Sequence, residues 1–437
     1  GVSINSRTIN KGDLFVALVG ERFDAHKFLP EAAAVASGLV VSKADKSLPL
    51  PQWVVEDTTL ALGQIARLRR ETFAGPVIAI TGSTGKTSVK ELTASILRQR
   101  GSVHATAGNL NNHIGVPLTL LAMDGDTEFA VIEMGASAGG EIGYLCSIAE
   151  PDIALINNVQ SSHIEGFGSV EAVASAKGEI YSGLKSAGIA IVNLDQPWCD
   201  QWRELIDGKP SLTFSVSDAA ADISATAINV MANGCCSFVL RVNLISGQPA
   251  LEQPVELSIP GTHAVENALA ASACALAAGA SLEQIAAGLG LVSAIAGRLE
   301  FKPLANNSAV IDDSYNASPS SFRAAIDVLA NRAGRKILVM GDMAELGEDS
   351  INMHSEVGAY ALEAGIDALY AVGEQSASAC AAFGGNHFQS RELLATAVAQ
   401  ELSRASADNR PVTFLVKGSR SAGMEKIVEH LITRGNT

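Results

Sequence analysis

The stretch Thr81-Gly82-Ser83-Thr84-Gly85-Lys86-Thr87-Ser88 gathers small residues, a lysine and a following hydroxyl at the spacing that cradles a polyphosphate. Small side chains let successive backbone N–H groups turn inward around an anion, and a helix starting there presents its positive end to the same charge. Lys86 reaches the terminal phosphates in such a loop, and Thr87 offers its hydroxyl to Mg²⁺. The usual pattern has a glycine five positions before Gly85, where this chain has Ile80, so the loop is a variant. A glycine-rich turn with a chance Gly-Lys-Thr is the alternative reading. Glu133 ends an apolar run downstream, where a carboxylate holds Mg²⁺ directly or through water; a helix cap or salt-bridge partner is its blander role. His163 sits in a polar loop, where a lone histidine is more often solvated than a ligand. Lys177, in Ala174-Ser-Ala-Lys-Gly-Glu179, reads on its own as an exposed helical lysine.

These residues need elements to position them. The apolar run Val77 to Ile80 before the loop reads as a buried strand, and Val89 to Arg100 after it as a helix. Further apolar runs end in Glu133, Asn157 and Asp195, with helical stretches between, which predicts a parallel sheet whose ligands bind at the strands' C-terminal ends. From Leu212 to Ile259 short alternating strands predict an antiparallel insertion, and an alanine-rich packing helix follows.

Length fits about three domains, taken as residues 1–74, 75–297 and 298–437. In the first, Leu14 to Leu18 and Gly38 to Val41 read as strands around a helix from Phe28 to Ser37, a small α/β unit. Its polar loops Asn5-Ser6-Arg7 and Gly20 to His26 hold a ligand or merely link elements. In the last, four apolar runs ending at Ile311, Met340, Val372 and Val416 each lead into a polar or glycine-containing turn, which predicts a doubly wound, Rossmann-like sheet. That unit has no Gly-x-Gly-x-x-Gly, so a dinucleotide domain is not supported. Ser42-Lys43-Ala44-Asp45 looks like a guanine-reading element but precedes the phosphate loop, in the wrong order.

Composition is that of a globular protein, 47% apolar and 18% charged. Net charge is −15 and no Lys/Arg run could grip a nucleic-acid backbone. An acidic protein that binds phosphates must neutralise them locally, which raises the weight on Lys86, helix ends and a metal. The six cysteines are scattered, without disulfide or zinc spacing, as expected of a reducing cytosol. The apolar stretch Ala268 to Ala278 is too short and alanine-rich to span a membrane. The chain begins at Gly1 without a methionine, in mid-pattern, and a further N-terminal segment is expected in the native protein.

Taken together, Thr81 to Thr87, Ser162-His-Ile-Glu-Gly-Phe-Gly-Ser169 with Ala176-Lys-Gly-Glu179, Asp312-Asp-Ser-Tyr-Asn-Ala-Ser-Pro319, Gly341-Asp-Met-Ala-Glu-Leu-Gly347 and Val416-Lys-Gly-Ser-Arg420 resemble the Mur ligase family. The loop without its first glycine is that family's own form. Within the family these elements resemble the branch that adds D-alanyl-D-alanine to UDP-N-acetylmuramoyl-tripeptide; the Asp-Asn-Pro-Arg signature of the diaminopimelate- or lysine-adding branch is absent.

The resemblance implies three domains: a UDP-binding unit, a central ATPase and a Rossmann-like C-terminal unit. It implies an ATP-dependent amide ligase of peptidoglycan precursor synthesis, cytoplasmic and monomeric, with small-molecule substrates, no nucleic-acid partner and no membrane insertion. Ser6 and Arg7 would hold the UDP end, and Asn111 and Asn112 belong to an element reaching the central site. Gly82, Ser83, Thr84, Gly85, Lys86, Thr87 and Ser88 would bind ATP phosphates, Asn267 the adenine, Arg298 the phosphates from the domain junction and Asp313 the ribose. Thr87, Glu133, His163 and Lys177 would hold two Mg²⁺, Lys177 as a carbamate formed from CO₂. Lys417, Ser419 and Arg420 would belong to the dipeptide site. Asn5 and Ala264 depart from the family's usual aspartate and asparagine. Folylpolyglutamate synthetases share the loop, and a nucleotide-binding switch without ligase activity is the rival from another class.

Overall fold

The computed structural model describes residues 1–21, 23–160, 164–231, 233–244, 248–293 and 295–435. Each of the three expected units is built on its own sheet. In the first, Val2–Ser3, Leu14–Val16, Gly38–Val41 and Gln52–Val54 lie side by side and parallel. The helix expected from Phe28 to Ser37 is shorter, Leu29–Ala33, preceded by a 3-10 turn over Ala25–Phe28 that Asp24 caps. Only a short crossover is needed to reach the next parallel strand at Gly38.

Helix Thr58–Glu71 joins the first unit to the second. Asp57 starts it by accepting from the backbone N–H groups of Thr59 and Leu60. Ala61 and Leu62 pack with Val16 and Val40 of the first sheet, whereas Ala66 packs into the central core. Buried Arg70 then fastens the helix down, its Nε donating to Ala149 O at 2.7 Å and its Nη2 reaching Asp152 Oδ2 at 2.8 Å. Several such bonds to backbone and carboxylate satisfy a guanidinium that would be costly to bury alone.

The central sheet has nine strands. Seven are parallel, in the order Val103–Ala105, Phe129–Glu133, Val77–Thr81, Ile153–Ile156, Ile189–Asn193, Ser211–Ser215 and Ile223–Val230. The antiparallel part begins where Ile223–Val230 turns into Cys235–Val242 and Leu251–Pro260, and it extends the same sheet. Helices cover both faces, so Val77, Ile78, Ala79 and Ile80 are all fully buried and the strand reads as an unbroken apolar run. The valine and the two isoleucines each contribute about 1.5–3 kcal/mol. Helix His263–Ala277 buries its alanines, Ala268, Ala270, Ala271 and Ala273 among them, beside helix Lys86–Leu97. Small side chains allow that close approach.

The third unit has six strands in the order Glu300–Pro303, Ala309–Asp313, Val412–Lys417, Arg335–Gly341, Ala368–Val372 and Asn386–Phe388. All but the first are parallel. The last long strand, Val412–Lys417, inserts between Ala309–Asp313 and Arg335–Gly341, and the loops that follow these three strands line a crevice together with the central unit's phosphate loop. Among the described residues no helix is long and apolar enough to cross a membrane.

Candidate active site

Strand Val77–Thr81 delivers the chain into the loop and helix Lys86–Leu97 leaves it. Gly85 sits at φ +75°, and a Cβ there would lie 2.5 Å from Asn267 Oδ1 and 2.6 Å from Asn157 Nδ2. Only glycine suits both the backbone and the space. Lys86 turns back on the loop, its Nζ donating to Gly82 O at 2.7 Å and Ser83 O at 3.3 Å.

Behind the loop, Thr87 Oγ1 donates to Glu133 Oε2 at 2.9 Å and Asn111 Nδ2 donates to Glu133 Oε1 at 2.8 Å. Glu133 is 2% exposed and its backbone N–H donates to Thr106 Oγ1. Thr87 and Glu133 thus meet where a phosphate-loop protein holds magnesium, which keeps several waters and needs only one or two protein oxygens. The donor set fits. Among the described residues no cluster of three His, Cys, Asp or Glu side chains forms a metal site, and His163 lies outside the described residues.

Lys86 faces this carboxylate, and Arg298 and Lys177 lie near Lys86. Burial pushes the Lys86 ammonium below its ordinary value, with Glu133 opposing that shift and Arg298 adding to it. Lys177, 1% exposed on helix Val170–Ser182, is pushed far lower by burial and by the neighbouring Lys86 charge. It is therefore no solvated helical lysine. Arg298 follows Gly297 at the domain junction and stacks on Tyr315, its guanidinium carbon 4.4 Å from the ring centre. An acidic chain has concentrated positive charge at one place.

A cleft of about 500 Å³ opens between the central and C-terminal units in front of the loop. Ser83 to Ser88, His263, Glu266 and Asn267 form one wall; Arg298, Asp313, Ser318, Ser320, Lys417, Ser419 and Arg420 belong to the other. Gln160 joins the walls: its Oε1 accepts from Thr84 Oγ1 at 3.3 Å and from Ser320 Oγ. Asn158 also fixes the loop, its Oδ1 accepting from Thr84 N at 2.9 Å. Burial pushes the Glu266 carboxyl upward, and the hydrogen bond from Asn193 pulls it back.

The sequence reasoning missed Asn158, Gln160, Glu266 and Ser320, whose roles depend on distant partners. It also set Asp195 beside Glu133 as a strand-end carboxylate facing ligand. Asp195 instead binds the next strand's exit, accepting from Ser215 Oγ at 2.6 Å and Val216 N at 2.7 Å. Lys417 Nζ donates to Asp313 Oδ2 at 2.5 Å, so the residue expected at a dipeptide and the residue expected at a ribose form one buried pair. Asn112 Oδ1 accepts from Gly115 N at 2.9 Å at the start of helix Gly115–Leu121. Ser6 and Arg7 lie on the loop after the first strand of the N-terminal sheet, where Ser6 Oγ donates to Glu31 Oε2 at 3.1 Å and Arg7 is exposed.

The Mur ligase middle domain matches residues 80–275, and the Mur ligase, glutamate ligase domain matches residues 297–420. The UDP-N-acetylmuramoyl-tripeptide–D-alanyl-D-alanine ligase of Escherichia coli (strain K12) is 45% identical over 435 residues, covering 99% of this chain and 94% of its own. The chain belongs to the Mur ligase family.

This Mur ligase shares its fold along almost its whole length with solved structures. A crystal structure of MurF from Acinetobacter baumannii superposes with a TM-score of 0.90 at 37% identity, covering 99% of this chain and 93% of that one. MurF from Thermotoga maritima, in complex with ADP, superposes with a TM-score of 0.86 at 28% identity, covering 99% and 97%.

Proposed function

We propose that this Mur ligase joins D-alanyl-D-alanine to the terminal carboxylate of UDP-N-acetylmuramoyl-tripeptide at the expense of ATP, as a cytoplasmic monomer making a peptidoglycan precursor. The observation that supports this most is the Thr87–Glu133 pair on a phosphate loop, facing Lys86, which in turn has Arg298 and Lys177 nearby. The near full-length likeness to D-alanyl-D-alanine-adding relatives supports the choice of substrate.

An amine does not displace oxide from a carboxylate at neutral pH, because oxide is too poor a leaving group. ATP solves this. A tripeptide carboxylate oxygen attacks the γ-phosphorus, the bond to ADP breaks, and an acyl phosphate forms. The dipeptide amine then attacks the acyl carbon, loses a proton, and phosphate leaves with the C–O bond's electron pair. Lys86 and the loop amides neutralise charge on the transferring phosphoryl group, and Arg298 adds a cation from the opposite wall. Thr87 and Glu133 are the residues that would hold magnesium, which spreads charge on phosphoryl and acyl oxygens when bound.

Lys177 has a second role in this proposal. Burial and Lys86 favour its neutral amine, the form that adds CO₂ with loss of a proton to give a carbamate. The carbamate would turn a buried neutral amine into an anionic oxygen donor, and with His163 it would hold a second magnesium. Ser6 and Arg7 hold the UDP end, Asn267 and Asp313 the nucleoside, and Ser419 and Arg420 the incoming dipeptide. The domain roles follow residues 1–74, 75–297 and 298–437.

The test uses tripeptide substrate labelled with ¹⁸O in its terminal carboxylate. A pentapeptide product by mass, with one ¹⁸O carried into the released phosphate, is expected. Product without label in phosphate would contradict the acyl phosphate, and no product with any acceptor would contradict the ligase reading.

A further inference from the structure

The amides behind the phosphate loop have a fixed polarity. Asn157 Nδ2 donates to the backbone carbonyl of Thr84 at 3.1 Å, and a carbonyl can only accept, so the Asn157 amide cannot be turned over. The same Nδ2 donates to Asn267 Oδ1 at 3.0 Å, which turns Asn267 Nδ2 away from Asn157. One strand further, Asn193 Nδ2 donates to Asn157 O at 2.8 Å and to Glu266 Oε1 at 2.9 Å. Glu266 and Asn267 both line the cleft. Each keeps one atom without a partner among the described residues: an acceptor on Glu266, Oε2, and a donor on Asn267, Nδ2.

The sheet order says which end of a nucleotide meets them. The strand ending in Glu133 lies on one side of the phosphate-loop strand, and those leading into Asn157 and ending in Asn193 lie on the other. A terminal phosphate belongs on the Glu133 side, where Thr87 and Glu133 meet. The nucleoside end therefore extends toward Asn267 and Glu266.

We propose that Glu266 is a specificity-determining residue that reads the purine: Oε2 accepts from the exocyclic amine of adenine while Asn267 Nδ2 donates to the adjacent ring nitrogen. Guanine carries a carbonyl oxygen where adenine carries that amine, and sets it against a carboxylate. The inference rests on the nucleotide reading above, though not on which amide the enzyme forms.

Asn193 makes the test sharp. In Glu266→Gln the amide oxygen must take the Asn193 donor, which leaves an NH₂ group facing the cleft and inverts the polarity offered to the base. Titrate wild type, Glu266→Gln and Glu266→Ala with ADP and with GDP at pH 8, checking folding by circular dichroism. Wild type is expected to prefer ADP, Glu266→Gln to lower that preference about ten- to hundredfold by weakening ADP and tightening GDP, and Glu266→Ala to lower it without tightening GDP. A folded Glu266→Gln whose ADP:GDP ratio stays within about twofold of wild type would overturn the proposal. If wild type binds neither nucleotide, the nucleotide reading fails and takes this one with it. A ratio that shifts in a protein forming no pentapeptide would sustain the role of Glu266 and refute only the ligase substrate.

Discussion

Thr87 Oγ1 and Glu133 Oε2 lie 2.9 Å apart, joined by a hydrogen bond between the first turn of the phosphate-loop helix and the end of the neighbouring parallel strand. The proposed phosphate-gripping loop and the proposed magnesium carboxylate share one contact. Removing the carboxylate as Glu133→Ala should lower turnover by about 10² or more while leaving metal-free ADP binding intact. Steady-state rates across a magnesium titration, with ADP titrated in parallel, check this. Turnover within about threefold of wild type would remove Glu133 from the metal site.

Gly85→Ala should damage both stability and nucleotide binding. At φ +75° the new Cβ would meet Asn267 Oδ1 and Asn157 Nδ2 at 2.5 and 2.6 Å, inside van der Waals contact. A loss of about 1–3 kcal/mol is expected from the backbone conformation alone. Urea unfolding and ADP titration measure the two effects, and a variant as stable as wild type would contradict the packing described.

Lys177 predicts an unusual pH dependence. Its folded-state pKa is depressed, so below the ordinary value of 10.5 the unfolded chain binds the extra proton more readily. Stability lost to this residue is fully lost at low pH and is recovered as pH rises toward 10.5. In CO₂-free buffer, Lys177→Met should therefore melt higher than wild type near neutral pH, by roughly 2 °C or more, with the gap closing in alkali. It should also be inactive. A gap that does not change with pH would show that Lys177 is not held neutral by burial.

Gln160 touches both walls of the cleft, accepting from Thr84 on the phosphate loop and from Ser320 at the start of helix Pro319–Ala330. Gln160→Ala should raise the KM for ATP about two- to tenfold, the worth of one or two hydrogen bonds, with little change in Tm. The same substitution in a Ser320→Ala background should add little further. Additive effects of the two would show that they do not act as a pair.

How far the sequence could be read follows from where each signal resides. The phosphate loop is local: strand, glycines, lysine and helix follow one another within a dozen residues, so Gly85, Lys86 and Thr87 were legible at once. The parallel sheets were legible because strands buried on both faces become unbroken apolar runs. Glu133 and Asp195 looked alike in the sequence, each a carboxylate at the end of such a run. What separates them is their surroundings: the neighbouring strand's exit offers Asp195 the hydroxyls and N–H groups of Ser215 to Ser217, whereas the Glu133 carboxylate has, among the described residues, only Thr87 and Asn111. The Gln160–Ser320 contact spans 160 residues and depends on two sheets meeting across a cleft, and the Lys417–Asp313 pair joins neighbouring strands of one sheet that are 104 residues apart in the chain. No local pattern encodes that. Lys177 was singled out only by resemblance, since its helix gives no sign in one dimension of which face is buried.

The most direct measurement is phosphate release from Mg-ATP with UDP-N-acetylmuramoyl-tripeptide, comparing D-alanyl-D-alanine with diaminopimelate and with lysine as the amine, each product weighed. Release and a pentapeptide product with D-alanyl-D-alanine alone is the predicted result. Release with diaminopimelate or lysine in its place, or release that needs no amine at all, would contradict the account.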